Sequence, residues 1–217
     1  MSSDSNRKFH EKQMEFFGAV TASVSHEINN VFAITNENSG LMSDLLKNAK
    51  RDKPIDPKRF LHINETLGKQ LEREKHIVKR LNRFSHNVDT PLKEIDLNEL
   101  ITNLCDISQR FAYRKKVKLS LSLKRSPIVI ESSPFTLQEM VFACIIAFLS
   151  EAQPGDSITV KVCKDSDRAV ILLYGPKIKS EELFAMLQPM TDELAAKTQA
   201  ESDGAKILLF LPRSIGA

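Results

Sequence analysis

Two proline-free stretches of helical periodicity, residues 7–50 and 58–87, flank the short segment Arg51-Asp52-Lys53-Pro54-Ile55-Asp56-Pro57. Pro54 and Pro57 bar a helix from running through, because proline lacks the backbone N–H and its ring collides with the preceding turn. The apolar stripe of the first stretch is Phe17, Val20, Val24, Ile28, Val31 and Thr35. That of the second is Phe60, Ile63, Leu67, Leu71, Ile77, Leu81 and Phe84, with Glu74 in an expected apolar place. Spacings of three and four predict two long helices, and the short turn predicts an antiparallel hairpin. Gly18 and Gly40 weaken the first helix locally, each by roughly 1 kcal/mol relative to alanine. A lone hairpin leaves one side of its core uncovered. Pairing with a second copy closes a four-helix bundle, so a homodimer is expected.

The segment Ser25-His26-Glu27-Ile28-Asn29-Asn30 lies within the first of these helices. At about 100° per residue, His26 falls about 200° from Val24 and Ile28, on the face away from the stripe. Glu27 is its neighbour and Asn30 lies one turn on, at i+4. Imidazole, carboxylate and amide are thus expected to share one exposed patch. An imidazole facing water can act as a nucleophile, and an adjacent carboxylate can hold its tautomer and take its proton. The same residues also read as an ordinary solvated helix face. His10, His62, His76 and His86 lack such a box and read as surface or inter-helix residues.

Lysine and arginine number 31 against 28 acidic residues, a net charge of +3 that argues for neither nucleic acid nor membrane as partner. No run approaches about 18 apolar residues, and no signal-peptide core opens the chain. Cys105, Cys144 and Cys163 are dispersed and lack metal-ligand spacing, which suits a reducing compartment. A cytoplasmic location is the expectation. The length of 217 residues allows one large domain or two small ones.

After Thr90-Pro91 the texture changes. Asp96 to Tyr113 reads as a helix with Asp96 as N-cap and Glu99 at the capping-box position. Val117 to Leu123 alternates as a half-buried strand, and Ile128 to Ile130 reads as a second. Pro134 to Ala152 is an apolar helix. Ser157 to Val162 and Arg168 to Leu173 read as strands paired around Lys164-Asp165-Ser166-Asp167. Ser180 to Leu187 is a short helix and Lys206 to Leu211 a last strand. The order predicts an α+β sandwich, one sheet under helices. The run Arg114-Lys115-Lys116-Val117-Lys118 reads as a solvated strand entry.

This arrangement resembles the sensor histidine kinases, from about residue 12 onward. In that family a dimeric helical hairpin carries an H-E-x-x-N/T box and precedes an ATP-binding α/β sandwich. His26, Glu27 and Asn30 match the box, while Val31 stands where many members have a helix-bending proline. The second half keeps the skeleton and loses the chemistry. Leu137 to Phe148 is similar to the family's asparagine-bearing helix, yet Ala143 and Ala147 stand where the two asparagines would hold magnesium and phosphates. Leu173-Tyr174-Gly175-Pro176-Lys177-Ile178 is similar to the D-x-G-x-G-I segment, with Leu173 for the adenine-binding aspartate and Lys177 for the second glycine. Leu187-Gln188-Pro189-Met190 is similar to the F-x-P-F stretch. Residues 191–203, in the place of the glycine-rich lid, contain no glycine.

The resemblance therefore implies a degenerate kinase. Its domains would be a flexible leader (1–8), a dimerisation and histidine-phosphotransfer hairpin (9–89) forming a dimeric four-helix bundle, and a degenerate ATPase-like α/β sandwich (95–217). The expected function is phosphotransfer between receiver-domain aspartates through His26, without ATP. Glu27 would orient the imidazole and Asn30 a water. Asn29, Ala33, Asn36 and Glu37 would meet the response-regulator receiver domain. No cofactor of its own is expected, with Mg2+ supplied by the receiver. The alternatives are a pseudokinase regulator or response-regulator phosphatase, and a structural dimerisation scaffold.

Overall fold

A computed structural model describes residues 3–49, 54–123, 126–165, 168–202 and 204–214. Arg51, Asp52, Lys53, Ser166 and Asp167, expected in turns, lie outside the described residues. The chain forms two compact units, Ala19–Asn82 and Met1–Gly18 together with Arg83–Ala217. These boundaries differ from the expected 9–89 and 95–217: the first turns of the first helix and the last of the second belong with the α/β unit.

Helix α1 spans Ser3–Ala49, running back through most of the expected leader. Helix α2 spans Pro57–Ser85. Pro57 sits at its first position, where a missing N–H costs nothing, and the Asp56 carboxylate accepts from the Lys58 N–H (2.9 Å).

Within Ala19–Asn82 the two helices bury seams of alternating three and four spacing. On α1 the buried and half-buried line is Val20, Val24, Glu27, Val31, Ile34 and Asn38. On α2 it is Phe60, Ile63, Leu67, Gln70, Glu74, Ile77 and Leu81. The α2 seam is therefore unbroken: it passes through Gln70 and Glu74, and Leu71, expected inside, is half-exposed. The α1 seam shares its position between Glu27 and the half-buried Ile28. Such spacing is that of helices packing side by side.

In the second unit, β1 (Lys93–Asp96) precedes α3 (Leu97–Arg114) and β2 (Lys118–Ser122). There follow β3 (Val129–Ser132), α4 (Pro134–Glu151), β4 (Ser157–Asp165) and β5 (Arg168–Tyr174). The chain ends with α5 (Ser180–Glu193), β6 (Lys197–Glu201) and β7 (Lys206–Leu211). The strands make two sheets rather than the single one expected: β1 pairs with β3, and a five-stranded sheet runs β2-β4-β5-β7-β6. Only β2 and β4 are parallel in it. β1 and β6 were not expected, and α5 runs on through Pro189 to Glu193. The core joins α4 to one sheet face, with Leu137, Met140, Ile145 and Phe148 fully buried alongside Ile158, Ile171 and Leu173. The opposite face carries a second apolar cluster of Val170, Leu172 and Leu208, which explains why β5 is an unbroken apolar run. Among the described residues α4 is the one helix long and apolar enough to cross a membrane, and 67% of that window is buried inside the fold.

Two joints hold the second unit. Asp96 caps α3 as expected, accepting from the Asn98 N–H (2.9 Å), and the same oxygen takes the Ile128 N–H (3.3 Å), tying the approach to β3 onto the helix start. An aromatic cluster ties in the start of α1. Phe16 is buried with ring centroids 5.4 Å from Phe84, 5.5 Å from Phe135 and 4.9 Å from Phe142. Phe17, expected in the stripe, is half-buried and stacks on Phe84 at 5.5 Å. Phe16→Ala is expected to cost about 3–5 kcal/mol, the usual range for a buried phenylalanine, read as a fall in the denaturant midpoint.

The ends of α3 and α5 share one device. After α3, Lys116 takes φ 57° and donates to Tyr113, while Val117 donates to Ala112. After α5, Ala195 takes φ 47° and donates to Asp192, while Ala196 donates to Thr191. Both are left-handed terminators of the kind glycine favours. An L side chain there costs about 1–2 kcal/mol. Lys116→Gly and Ala195→Gly should therefore each raise thermal stability, by about 1 kcal/mol, where glycine in a helix interior would lower it.

Candidate functional site

His26, Asn29, Asn30, Ala33, Asn36 and Glu37 are all exposed on α1. Their three and four spacing places them on one solvent-facing strip, away from the Val20–Val24–Val31 seam. The His26 imidazole on this strip is open to solvent.

Glu27 is not part of that strip. Consecutive helical residues point about 100° apart and do not face each other. The one-residue step from His26 carries Glu27 into the seam, where its side chain is 24% exposed. Its Oε1 lies 3.3 Å from Arg73 Nη2 and 3.6 Å from Arg80 Nη2, both on α2. Arg73 and Arg80 are seven residues apart, almost two full turns, and so sit on one side of α2 around the buried Ile77. A carboxylate half-withdrawn from water requires such partners, since an unpaired buried charge is costly. The expected trio of imidazole, carboxylate and amide is thus divided: His26 and Asn30 face solvent, and Glu27 faces two guanidinium groups.

Sequence reasoning missed Arg73 and Arg80. The signal was present in the unbroken seam of α2: once Gln70 and Glu74 are counted as seam positions, Arg73 and Arg80 flank it opposite Glu27.

Three of the other candidate nucleophiles are engaged or buried. Burial pushes the Cys105 and Cys144 thiols up to about 12, far from the thiolate form at neutral pH. His86 Nδ1 is engaged 2.9 Å from Asp89 Oδ2.

In the α/β unit, the positions that the resemblance compares with a nucleotide site are placed as follows. Leu173 is fully buried in the sheet. Ala143 and Ala147 are half-buried on α4 and carry no atom that could hold magnesium. Phe148 lies so close to Gly175 that a Cβ there would fall 2.6 Å from its Cδ1. Gly204, at φ +81°, brings the turn after β6 against the Ile178 carbonyl, and a Cβ there would collide with it. The Gly175 N–H donates to the Ala205 carbonyl (3.0 Å). The segment expected as a degenerate lid is instead the end of α5, its left-handed terminator and β6, paired with β7.

No protein-family model and no curated protein matches this chain. Solved structures do. The nucleotide-free catalytic domain of histidine kinase ThkA is 14% identical, with a TM-score of 0.49, over 58% of this chain and 100% of that one. Acinetobacter baumannii histidine kinase AdeS is 16% identical, with a TM-score of 0.48, over 81% of this chain and 95% of that one. Histidine kinase ThkA in complex with response regulator protein TrrA is 17% identical, with a TM-score of 0.46, over 97% of this chain and 65% of that one.

Proposed function

We infer that the chain is a histidine phosphotransferase of a two-component phosphorelay, moving a phosphoryl group between receiver-domain aspartates through His26 without binding ATP. The observation that carries this reading is the exposed imidazole of His26 on a long helix, in a chain whose α/β unit holds alanine, leucine and packed phenylalanine at the positions that the resemblance assigns to nucleotide binding. Phosphoryl transfer asks mainly for in-line positioning and charge neutralisation, which a helix face can supply.

In this reading the unprotonated ring nitrogen of His26 attacks the phosphorus of an aspartyl phosphate. A nitrogen–phosphorus bond forms as the bond to the aspartate oxygen breaks, and its electron pair returns to the carboxylate. The reverse step on a second receiver completes the relay. The receiver brings its own acidic pocket and Mg2+, and it docks along Asn29, Ala33, Asn36 and Glu37. Asn30, exposed one turn from His26, supports a second activity: orienting a water against the receiver's aspartyl phosphate. The half-exposed Phe32, Leu46, Leu61 and Leu71 of the hairpin are apolar surface that a second copy would cover, which supports a dimeric four-helix bundle. The free cysteines, two of them buried, suit the reducing environment of the cytoplasm.

A receiver domain carrying labelled aspartyl phosphate tests the reading. Label should move to the wild-type chain and not to His26→Ala. Loss of receiver phosphate that survives His26→Ala but requires Asn30 would replace transfer with phosphatase action, and no effect of any kind would leave a scaffold. Separately, calorimetric titration with Mg-ATP should find no binding tighter than about 1 mM, and micromolar affinity would restore an active kinase.

A further inference from the structure

Strand β2 lies at one margin of the five-stranded sheet and, among the described strands, pairs on one side only, in parallel with β4. Two hydrogen bonds fix the direction of its backbone groups. The Lys118 N–H donates to the Asp156 carbonyl (2.9 Å), so Lys118, Ser120 and Ser122 turn their main-chain groups towards β4. Leu119 and Leu121 then turn theirs to the open side, and the Leu119 carbonyl accepts there from Gln109 Nε2 (3.1 Å). The Leu119 N–H and both main-chain groups of Leu121 face that side too.

The charge beside this margin has one sign. Between Asp106 and Glu131 the sequence holds no acidic residue. Arg114, Lys115, Lys116 and Lys118 are all exposed where the chain enters β2, next to Tyr113, which is 83% exposed. Cations in the last turn of a helix offset its dipole, which accounts for Arg114 and Lys115 but not for the two lysines beyond. Lys116 also holds φ 57°, where glycine would be the more stable choice. Its carbonyl accepts from the Gly155 N–H (2.9 Å), which pins the turn. The nearby Asp156 carboxylate is engaged by the Gln153 N–H (2.8 Å). Lysine commonly guards a sheet edge against indiscriminate pairing. The opposite margin, β6, is guarded by both signs, Lys197 and Glu201. A margin of one sign selects as well as guards.

We propose that the open side of β2 takes an extended acidic peptide of another protein by strand addition. Side chains of the added strand alternate between the two sheet faces. Those on the face of Lys118, Ser120 and Ser122 are carboxylates, and those on the face of Leu119 and Leu121 are apolar. A second copy of β2 does not fit this place. Its sequence is flanked by Lys118 at one end and by Lys124 and Arg125 at the other, so two copies set like charges against each other in either orientation. A phosphate backbone or a lipid surface would satisfy the cations but not the main-chain groups.

The test titrates the whole chain into the fluorescein-labelled peptide Gly-Glu-Val-Glu-Val-Glu-Val-Gly and follows fluorescence anisotropy. Saturable binding is expected, weakening about tenfold as salt rises from about 0.05 M to about 0.5 M. Lys118→Glu, a change to an exposed side chain, should weaken it about tenfold, whereas the same charge change in Lys197→Glu on the far margin should leave it unchanged. Two further peptides, N-methylated at the valines or at the glutamates, keep the charge and remove alternate main-chain donors. One of them should lose binding, and which one reports the register of the added strand. No binding to wild type at about 1 mM would overturn the proposal, as would equal affinities for wild type and Lys118→Glu. Undiminished binding of both methylated peptides would overturn strand addition. An oligouridylate or phosphatidylserine vesicles bound as tightly, with the same loss in Lys118→Glu, would assign the surface to phosphate instead.

Discussion

A carboxylate placed in the seam between two helices governs the rest of the hairpin. Glu27 occupies a position that spacing reserves for an apolar side chain, and it is tolerated because α2 meets it with Arg73 and Arg80. That pairing fixes the rotation of α1 in its contact with α2. With Glu27 inward, His26 must point outward, and Asn29, Asn30, Ala33 and Asn36 follow on the same strip. The exposure of the imidazole is thus a consequence of helix phase rather than a separate feature.

The α/β unit is built on a different principle. α4 is buried on nearly every side, and its phenylalanines serve as packing. Phe135 and Phe142 receive Phe16 from the start of α1, and Phe148 lies over Gly175. Buried aromatic rings contribute more to stability than the polar groups they replace, and their geometry specifies one arrangement.

Much of this was legible in the sequence. Pro54 and Pro57 marked the turn, Asp96 marked the start of α3, and alternation marked β2 and β4. Where reading failed, the cause lay in contacts distant along the chain. β1 is four residues long and exists because it pairs with β3 across α3. β6, Lys-Thr-Gln-Ala-Glu, has no apolar alternation and owes its conformation to β7. Pro189 suggested a helix end, yet α5 continues to a left-handed stop at Ala195. Leu71 lies outside the seam and Glu27 inside it for one reason: packing geometry rather than apolar identity sets the phase of the stripe, and the seam accepts Gln70, Glu74 and a paired Glu27. The residues least apolar in the seam are the ones beside the candidate site.

The acceptor role of His26 is the claim on which the functional account turns, and the chemistry of the linkage tests it most directly. After incubation with an aspartyl-phosphorylated receiver, the chain should carry phosphate that survives alkali, is lost in acid and maps to His26, as a nitrogen–phosphorus bond requires. Phosphate that survives acid, or that maps to another residue, would contradict it.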